Sequence, residues 1–255
     1  MKSYKLYKPL IILLVILLNS ICYSSSKTPT FSNTKTKYSL SWGSCPIKTS
    51  GDFAIMLARE FDQHTSLYKL RETIEKEHWK EKFYLSSYTI DYNFWENKLI
   101  FKFQCPKPLL KIQVYLQGTS QYYSGILVEN GEIFDPQYEI ELRRENNLKD
   151  RLPFFSISEE HVKNQKHHKI VEFMKLYPVN LSTKLSEVIL NNNNELTLIM
   201  SKKNKALSVF LGSDYWDEKL TKLLAVDKYF LNLTNYPTQM NLTSLKKIVV
   251  KFSAL

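Results

Sequence analysis

The sequence predicts an α+β protein: an N-terminal transmembrane helix, a unit ordered β-α-α-β-β, then a C-terminal β domain with two helices and an exposed terminal edge strand. Three observations carry this. An uninterrupted apolar run follows a lysine-bearing start, apolar residues between positions 53 and 79 recur at the helical period, and most of the remainder alternates like strands. The corresponding segments are 1–8 as a cytoplasmic tail, 9–23 as a transmembrane anchor, 24–37 as a linker, 38–110 as the first exported unit and 111–255 as the β domain.

Lys2, Lys5 and Lys8 precede Pro9–Cys22, which reads PLIILLVILLNSIC. Leu10, Ile11, Ile12, Leu13, Leu14, Val15, Ile16, Leu17 and Leu18 form its apolar centre. A cleaved signal peptide shares this layout, but Asn19, Ser20 and Ile21 before Cys22 make a poor small-x-small cleavage site, which favours a retained anchor. Basic residues before the span, with no acidic one, place the N-terminus in the cytoplasm and the bulk outside. Residues 24–37, rich in Ser, Thr and Lys, have the composition of a spacer.

Of 255 residues, 35 are Lys or Arg and 25 Asp or Glu, for a formal charge of +10. Only five of the basic residues are arginines (Arg59, Arg71, Arg143, Arg144, Arg151), the side chain that reads bases and clamps phosphates. Nucleic-acid binding is therefore disfavoured. The six glycines are not spaced to cradle phosphates, which argues against a dinucleotide or P-loop enzyme.

Within the exported part, Tyr38–Trp42 reads as a short strand. Phe53, Met56, Leu57 and Phe61 define one face of a helix capped near Ser50 and Asp52. A second helix runs from about Tyr68 to Lys80. Tyr84, Tyr88, Ile90 and Tyr92, then Leu99, Phe101 and Phe103, give two strands about a turn at Glu96-Asn97. Ile112, Val114 and Leu116 open the second unit, and Asn130-Gly131 signals a tight hairpin. A charged connection over Glu139–Arg151 leads to a helix opened by Ser156 and Glu159. Three strands follow near 185–190, 195–201 and 206–211, then a helix from Ser213/Asp214. Strands at Met240–Ser244 and Lys247–Phe252 close the chain.

Cys45 and Cys105 lie in the exported part, where pairing is chemically allowed. A bridge there closes a loop of about 60 residues; two separate half-buried thiols are the alternative that the sequence leaves open. They are the candidate disulfide. No catalytic constellation stands out. His161, His167 and His168 read as polar surface histidines without a completing carboxylate or Cys, so no metal is expected. Ser244 and Lys247 match a nucleophile pair only formally, since that spacing separates them across a strand. Trp42, Trp79, Trp95 and Trp216 read as core and hairpin packing. Asn180, Asn232 and Asn241 head acceptor triplets that an Asn-rich chain produces by accident. An enzyme is disfavoured and no cofactor is implied.

The stretch Ser66-Leu67-Tyr68-Lys69-Leu70, with Ile74, Phe83 and Asn97–Phe103 through Pro108-Leu109-Leu110, resembles the POTRA domain of the FtsQ/DivIB family of bacterial cell-division proteins. Ile126–Phe134 resembles the hairpin at the entry to that family's β domain. Val209–Gly212, Glu218-Lys219-Leu220 and Asn241-Leu242 before Ile248–Lys251 resemble its closing block. Departures exist: Cys105 stands where the family usually has a glutamate, Asp91–Trp95 replaces a basic-Trp-Pro turn, and Asn241 replaces an aspartate. The resemblance implies a non-catalytic divisome scaffold in the inner membrane at the division site. Its bulk would be periplasmic, bound through its β domain to the FtsB/FtsL pair and through its POTRA domain to other division proteins.

A terminal edge strand supplies a mechanism, because its unpaired N–H and C=O groups would accept a partner segment as a further strand. Ser244, Lys247, Ile248, Val249, Val250 and Lys251 are the expected partner-binding residues. Lys247, Val249 and Lys251 share one face, and the lysines suit an acidic partner. The competing expectation is an exported hydrolase or ligand-binding protein with a cleaved signal peptide.

Overall fold

The computed structural model describes residues 35–177, 185–202, 205–230 and 237–252. Twelve strands form two sheets, one of three strands in the order β1-β3-β2 and one of nine in the order β12-β11-β10-β9-β8-β7-β4-β5-β6.

The three-stranded sheet is built from β1 (Lys37–Ser41), β2 (Ser87–Asn93) and β3 (Lys98–Gln104). Helices α1 (Ile47–His64), α2 (Leu67–Lys76) and α3 (Trp79–Lys82) lie between β1 and β2 in the chain. Phe53, Leu57 and Phe61 of α1 and Leu70 and Ile74 of α2 are buried against Ile90, Leu99, Phe101 and Phe103 of the sheet. α1 starts three residues before the expected Ser50 cap: Ser50 Oγ instead donates to Pro46 O at 2.6 Å. The single expected second helix breaks at His78, whose φ of 50° separates α2 from α3.

The nine-stranded sheet comprises β4 (Pro108–Tyr115), β5 (Tyr122–Val128), β6 (Ile133–Phe134), β7 (Phe154–Ser158), β8 (Leu185–Leu190), β9 (Leu196–Lys202), β10 (Lys205–Gly212), β11 (Pro237–Asn241) and β12 (Val249–Phe252). Among the described residues four helices accompany it: α4 (Gln137–Arg144), α5 (Glu159–Lys163), α6 (His167–Leu176) and α7 (Trp216–Phe230). Ile170, Val171, Phe173 and Met174 of α6 and Leu220 and Leu223 of α7 pack on inward residues of the strands. The other face carries one continuous row through the registers: Ser124, Gln113, Ser156, Ile189, Thr197, Phe210, Asn241 and Val249. None of these eight is buried. Period-two alternation therefore divides the sheet into a face covered by α6 and α7 and a face that carries this row but is covered at Ile126 and Val128 by α4 and the three-stranded layer.

These findings correct the predicted α+β class with its two-helix β domain. The protein is mixed α/β. Four strand pairs are parallel (β1–β3, β4–β7, β7–β8, β10–β11), and parallel neighbours need crossover connections, which helices supply. Alternation reports which face is buried and is blind to strand direction. Among the described residues no helix is long and apolar enough to cross a membrane; the run 9–23, with Leu10–Leu18, lies outside the described residues. The "charged connection" is α4, whose Tyr138 and Leu142 are buried beneath its charges. The helix expected from Ser156 is two helices, because Ser156 lies in β7, Ser158 caps α5, and Gln165 at φ 56° ends it.

Two features close the three-stranded layer, and the second also ties it to the larger sheet. Cys45 and Cys105 are disulfide-bonded, with Cα atoms 4.9 Å apart, which closes the alternative that the sequence left open. Ile126 and Val128 of β5, with Phe134, Tyr138, Leu142 and Leu152, complete the core of the three-stranded layer, while Leu127 between them faces the other core. The Tyr138 hydroxyl donates to Pro106 O at 2.7 Å. Burial, then the nearby Glu129 and Tyr84, pushes that phenol well above the ordinary tyrosine range.

Candidate functional site

The site is the C-terminal end of the nine-stranded sheet. β10 alternates Leu207, Val209 and Leu211 inward with Ser208 and Phe210 outward. Gly212 (φ 74°) ends it, and Trp216 Nε1 donates to Gly212 O at 2.8 Å as α7 begins. The only lysine among the fully buried large side chains, Lys219, fixes this corner: its ammonium donates to Leu211 O, Asp214 O and Asp214 Oδ1 at 2.7–2.8 Å. α7 then carries the chain back so that β11 lies parallel to β10, and β12 returns antiparallel to β11.

The connection from β11 to β12 is organised by Asn241, whose Oδ1 accepts from Thr243 N (2.9 Å) and Thr243 Oγ1 (2.7 Å). Lys222 of α7 donates to Leu245 O, and Lys246 N to Ser244 Oγ at 3.2 Å. The loop is thus fastened to helix and sheet before β12 starts.

Among the described residues β12 pairs only with β11 and ends the sheet. The direction of its backbone groups follows from two bonds. Leu242 N donates to Phe210 O at 2.8 Å, so by alternation the Asn241 backbone turns toward β12 and its register partner Val249 turns toward β11. Thr238 Oγ1 donates to Lys251 O at 3.3 Å, which places Lys251 on the β11 side as well. The N–H and C=O of Val250 therefore face the open side. Its side chain packs on the core, whereas Val249 is 62% exposed. Lys246, Lys247 and Lys251 are exposed, and residues 237–252 contain no acidic side chain.

Of the expected partner-binding residues, Val249, Val250 and Lys251 lie in the edge strand. Lys247 and Ile248 are exposed on the approach to it, and Ser244 lies in the loop with its hydroxyl used by Lys246 N. The strand begins two residues later than the expected Lys247. Two residues escaped the sequence reading. Asn241 was noted in an acceptor triplet and in the resembled closing block but not as the organiser of this loop, though Asn at a strand end is a loop-forming signal. Phe210 lies two strands from Val249 in the open row, and the alternation Val209-Phe210-Leu211 already placed it outward.

The histidines differ from expectation. His161 and His167 are 4% and 6% exposed rather than on the surface, and His161 contacts Ser158 Oγ and Asn194 Oδ1. Among the described residues no group of three or more His, Cys, Asp or Glu is arranged to hold a metal ion. Trp79 packs edge-on to Phe53 and Trp216 to Phe173, as core packing requires, whereas Trp42 and Trp95 are exposed.

Fold and site together define a two-sheet mixed α/β protein whose larger sheet ends in a basic C-terminal edge. No family model matches this chain, and no curated protein matches it.

Proposed function

We propose that this chain is a membrane-anchored, non-catalytic scaffold of the bacterial cell-division machinery, of the kind its sequence resembles. In this reading β12 receives a strand of the FtsB/FtsL pair. The observation that carries it is the β12 edge, with the Val250 backbone groups turned outward beside an exposed Val249. Main-chain bonds to Val250 supply affinity, and the exposed Val249 and Lys251 select the partner's alternate side chains. The three lysines of the edge favour an acidic segment and speed its approach.

The N-terminal run 9–23 is the anchor, and the resembled POTRA unit, 38–110, gives way to the β domain at 111. The Cys45–Cys105 bond supports an oxidising compartment for the body, as an inner-membrane protein with its bulk in the periplasm requires. The test is a photoreactive residue at position 249 of the full chain in dividing cells. Position 249 crosslinks to FtsB or FtsL, and position 55, exposed on α1, does not. A chain that supports division yet gives no crosslink from 249 removes the reading.

A further inference from the structure

The turn Phe94–Asn97 between β2 and β3 displays the two most exposed large apolar side chains of the described residues, Trp95 at 97% and Phe94 at 78%. This tip is held in shape. Asn93 Oδ1 accepts from Trp95 N (3.0 Å) and Glu96 N (3.4 Å), and the Tyr92 hydroxyl donates to Asn97 Oδ1. Phe94 meets the Tyr92 ring edge-on at 4.8 Å, and Tyr92 itself leans on Phe61 of α1. Two aromatic rings are thus presented outward on a braced turn, where ordering them costs no further backbone entropy.

The position of the tip says what covers it. β1 runs parallel to β3 with Lys37 opposite Lys98, and Lys37 N donates to Asn97 O at 2.9 Å. The chain therefore enters the body beside Phe94 and Trp95. From residue 23 to Lys37 it can span no more than about 50 Å even fully extended, so the end of the body that carries the tip stays within that reach of whatever holds the run 9–23. Lys35 and Lys37 are exposed there, and Lys98 pairs with Glu96 at 3.9 Å. Asp91, the other acidic group of this hairpin, is paired with Lys102 at 3.6 Å.

We propose that Phe94 and Trp95 insert into the interfacial layer of the bilayer that anchors the chain, and so set the orientation of the body on the membrane. An indole has an apolar body and one N–H donor, which suits the boundary between acyl chains and headgroups. Lys35 and Lys37 beside it favour anionic headgroups. This inference rests on the anchored reading of the N-terminal run.

The test uses the full chain reconstituted in phosphatidylcholine–phosphatidylglycerol vesicles, with phosphatidylcholine brominated near the headgroup end of its acyl chains as quencher. Tryptophan emission is quenched, and Trp95→Ala lowers the quenched fraction at least twofold. Equal quenching in the native chain and in Trp95→Ala overturns the insertion and leaves the tip to a protein partner. Alkaline extraction of the same vesicles reports the anchor separately. A chain that resists extraction with Trp95 unquenched retains the anchor and loses this proposal. A chain that alkali releases, yet whose Trp95 was quenched beforehand, loses the anchor and with it the claim that the tip orients an anchored body. Release without quenching removes both.

Discussion

The backbone N–H of Ile47 donates to both carboxylate oxygens of Glu145, at 2.9 and 2.8 Å, across 98 positions of sequence. α1 begins at Ile47 behind Pro46, with no side-chain cap of its own and no acidic residue in its first turn. The carboxylate at the end of α4 supplies both missing features, and Glu141 of the same helix accepts from Thr49 Oγ1. A helix start in the three-stranded layer is therefore completed by a helix that belongs to the larger sheet. Glu145→Ala is expected to lower stability by about 1 kcal/mol, the usual worth of a cap with its dipole contribution. Glu145→Gln, which keeps an acceptor and loses the charge, is expected to cost less. Urea unfolding followed by circular dichroism measures both.

The Cys45–Cys105 bond closes a 60-residue span between the start of α1 and the end of β3. Constraining a loop of that length in the unfolded chain stabilises the fold by about 4 kcal/mol. Cys45→Ser with Cys105→Ser is expected to lose most of this, and the native chain is expected to match the double variant once reduced. Denaturant midpoints with and without a thiol reductant check the equality. A native chain indifferent to reductant contradicts the assignment.

His167 is buried in α6 near the β5–β6 turn, with its ring beside His168 at 4.5 Å. Its Nδ1 has no partner. Burial first, and His168 second, hold its pKa below the ordinary histidine value. The unfolded chain therefore binds the proton more readily than the folded one, and stability falls as pH drops below about 6.5, levelling off under the folded pKa. His167→Gln is expected to flatten this dependence between about pH 7 and about pH 5, as read from urea midpoints. Gly131 is constrained in the same place: its φ is 88°, and an added Cβ would stand 2.2 Å from His168 Cε1.

Much of the element order was legible because each strand shows its parity in the sequence. Leu99, Phe101 and Phe103 point one way, as do Leu207, Val209 and Leu211. Three things were not legible, each for a physical reason. Strand direction leaves no mark on alternation, so the parallel β10–β11 pair, made through α7, was hidden. α4 was concealed because Glu139, Glu141 and Arg143 look solvated. In the fold Glu139 is 5% exposed and holds Arg143 Nε at 2.7 Å and Lys111 Nζ at 2.9 Å. At the site, the C-terminal strand was legible by its alternation, but which backbone groups it leaves open was not. That depends on Leu242 N bonding Phe210 O, a contact between residues 32 positions apart.

That detail decides how the edge is tested. A proline at Val249 would remove a bond of the ladder to β11 and unfasten β12 itself, so loss of capture would say nothing about an open edge. Side chains separate the two roles better. Val249 is 62% exposed in the row with Asn241 and Phe210, while Val250 packs on the core. Val249→Glu, which sets a charge of the partner's own sign on the exposed face, is expected to leave stability within about 0.5 kcal/mol, as exposed substitutions do. It is expected to weaken partner binding about tenfold, the loss of roughly 1.4 kcal/mol of contact. Val250→Ser reverses the ratio: it keeps the outward N–H and C=O, so the folded fraction binds with little change, but it costs about 1–3 kcal/mol of stability. Calorimetric titration with the partner's strand segment, alongside thermal unfolding of each variant, distinguishes them. If both variants lose stability and affinity in proportion, the edge is a closing strand of this sheet and the partner docks elsewhere.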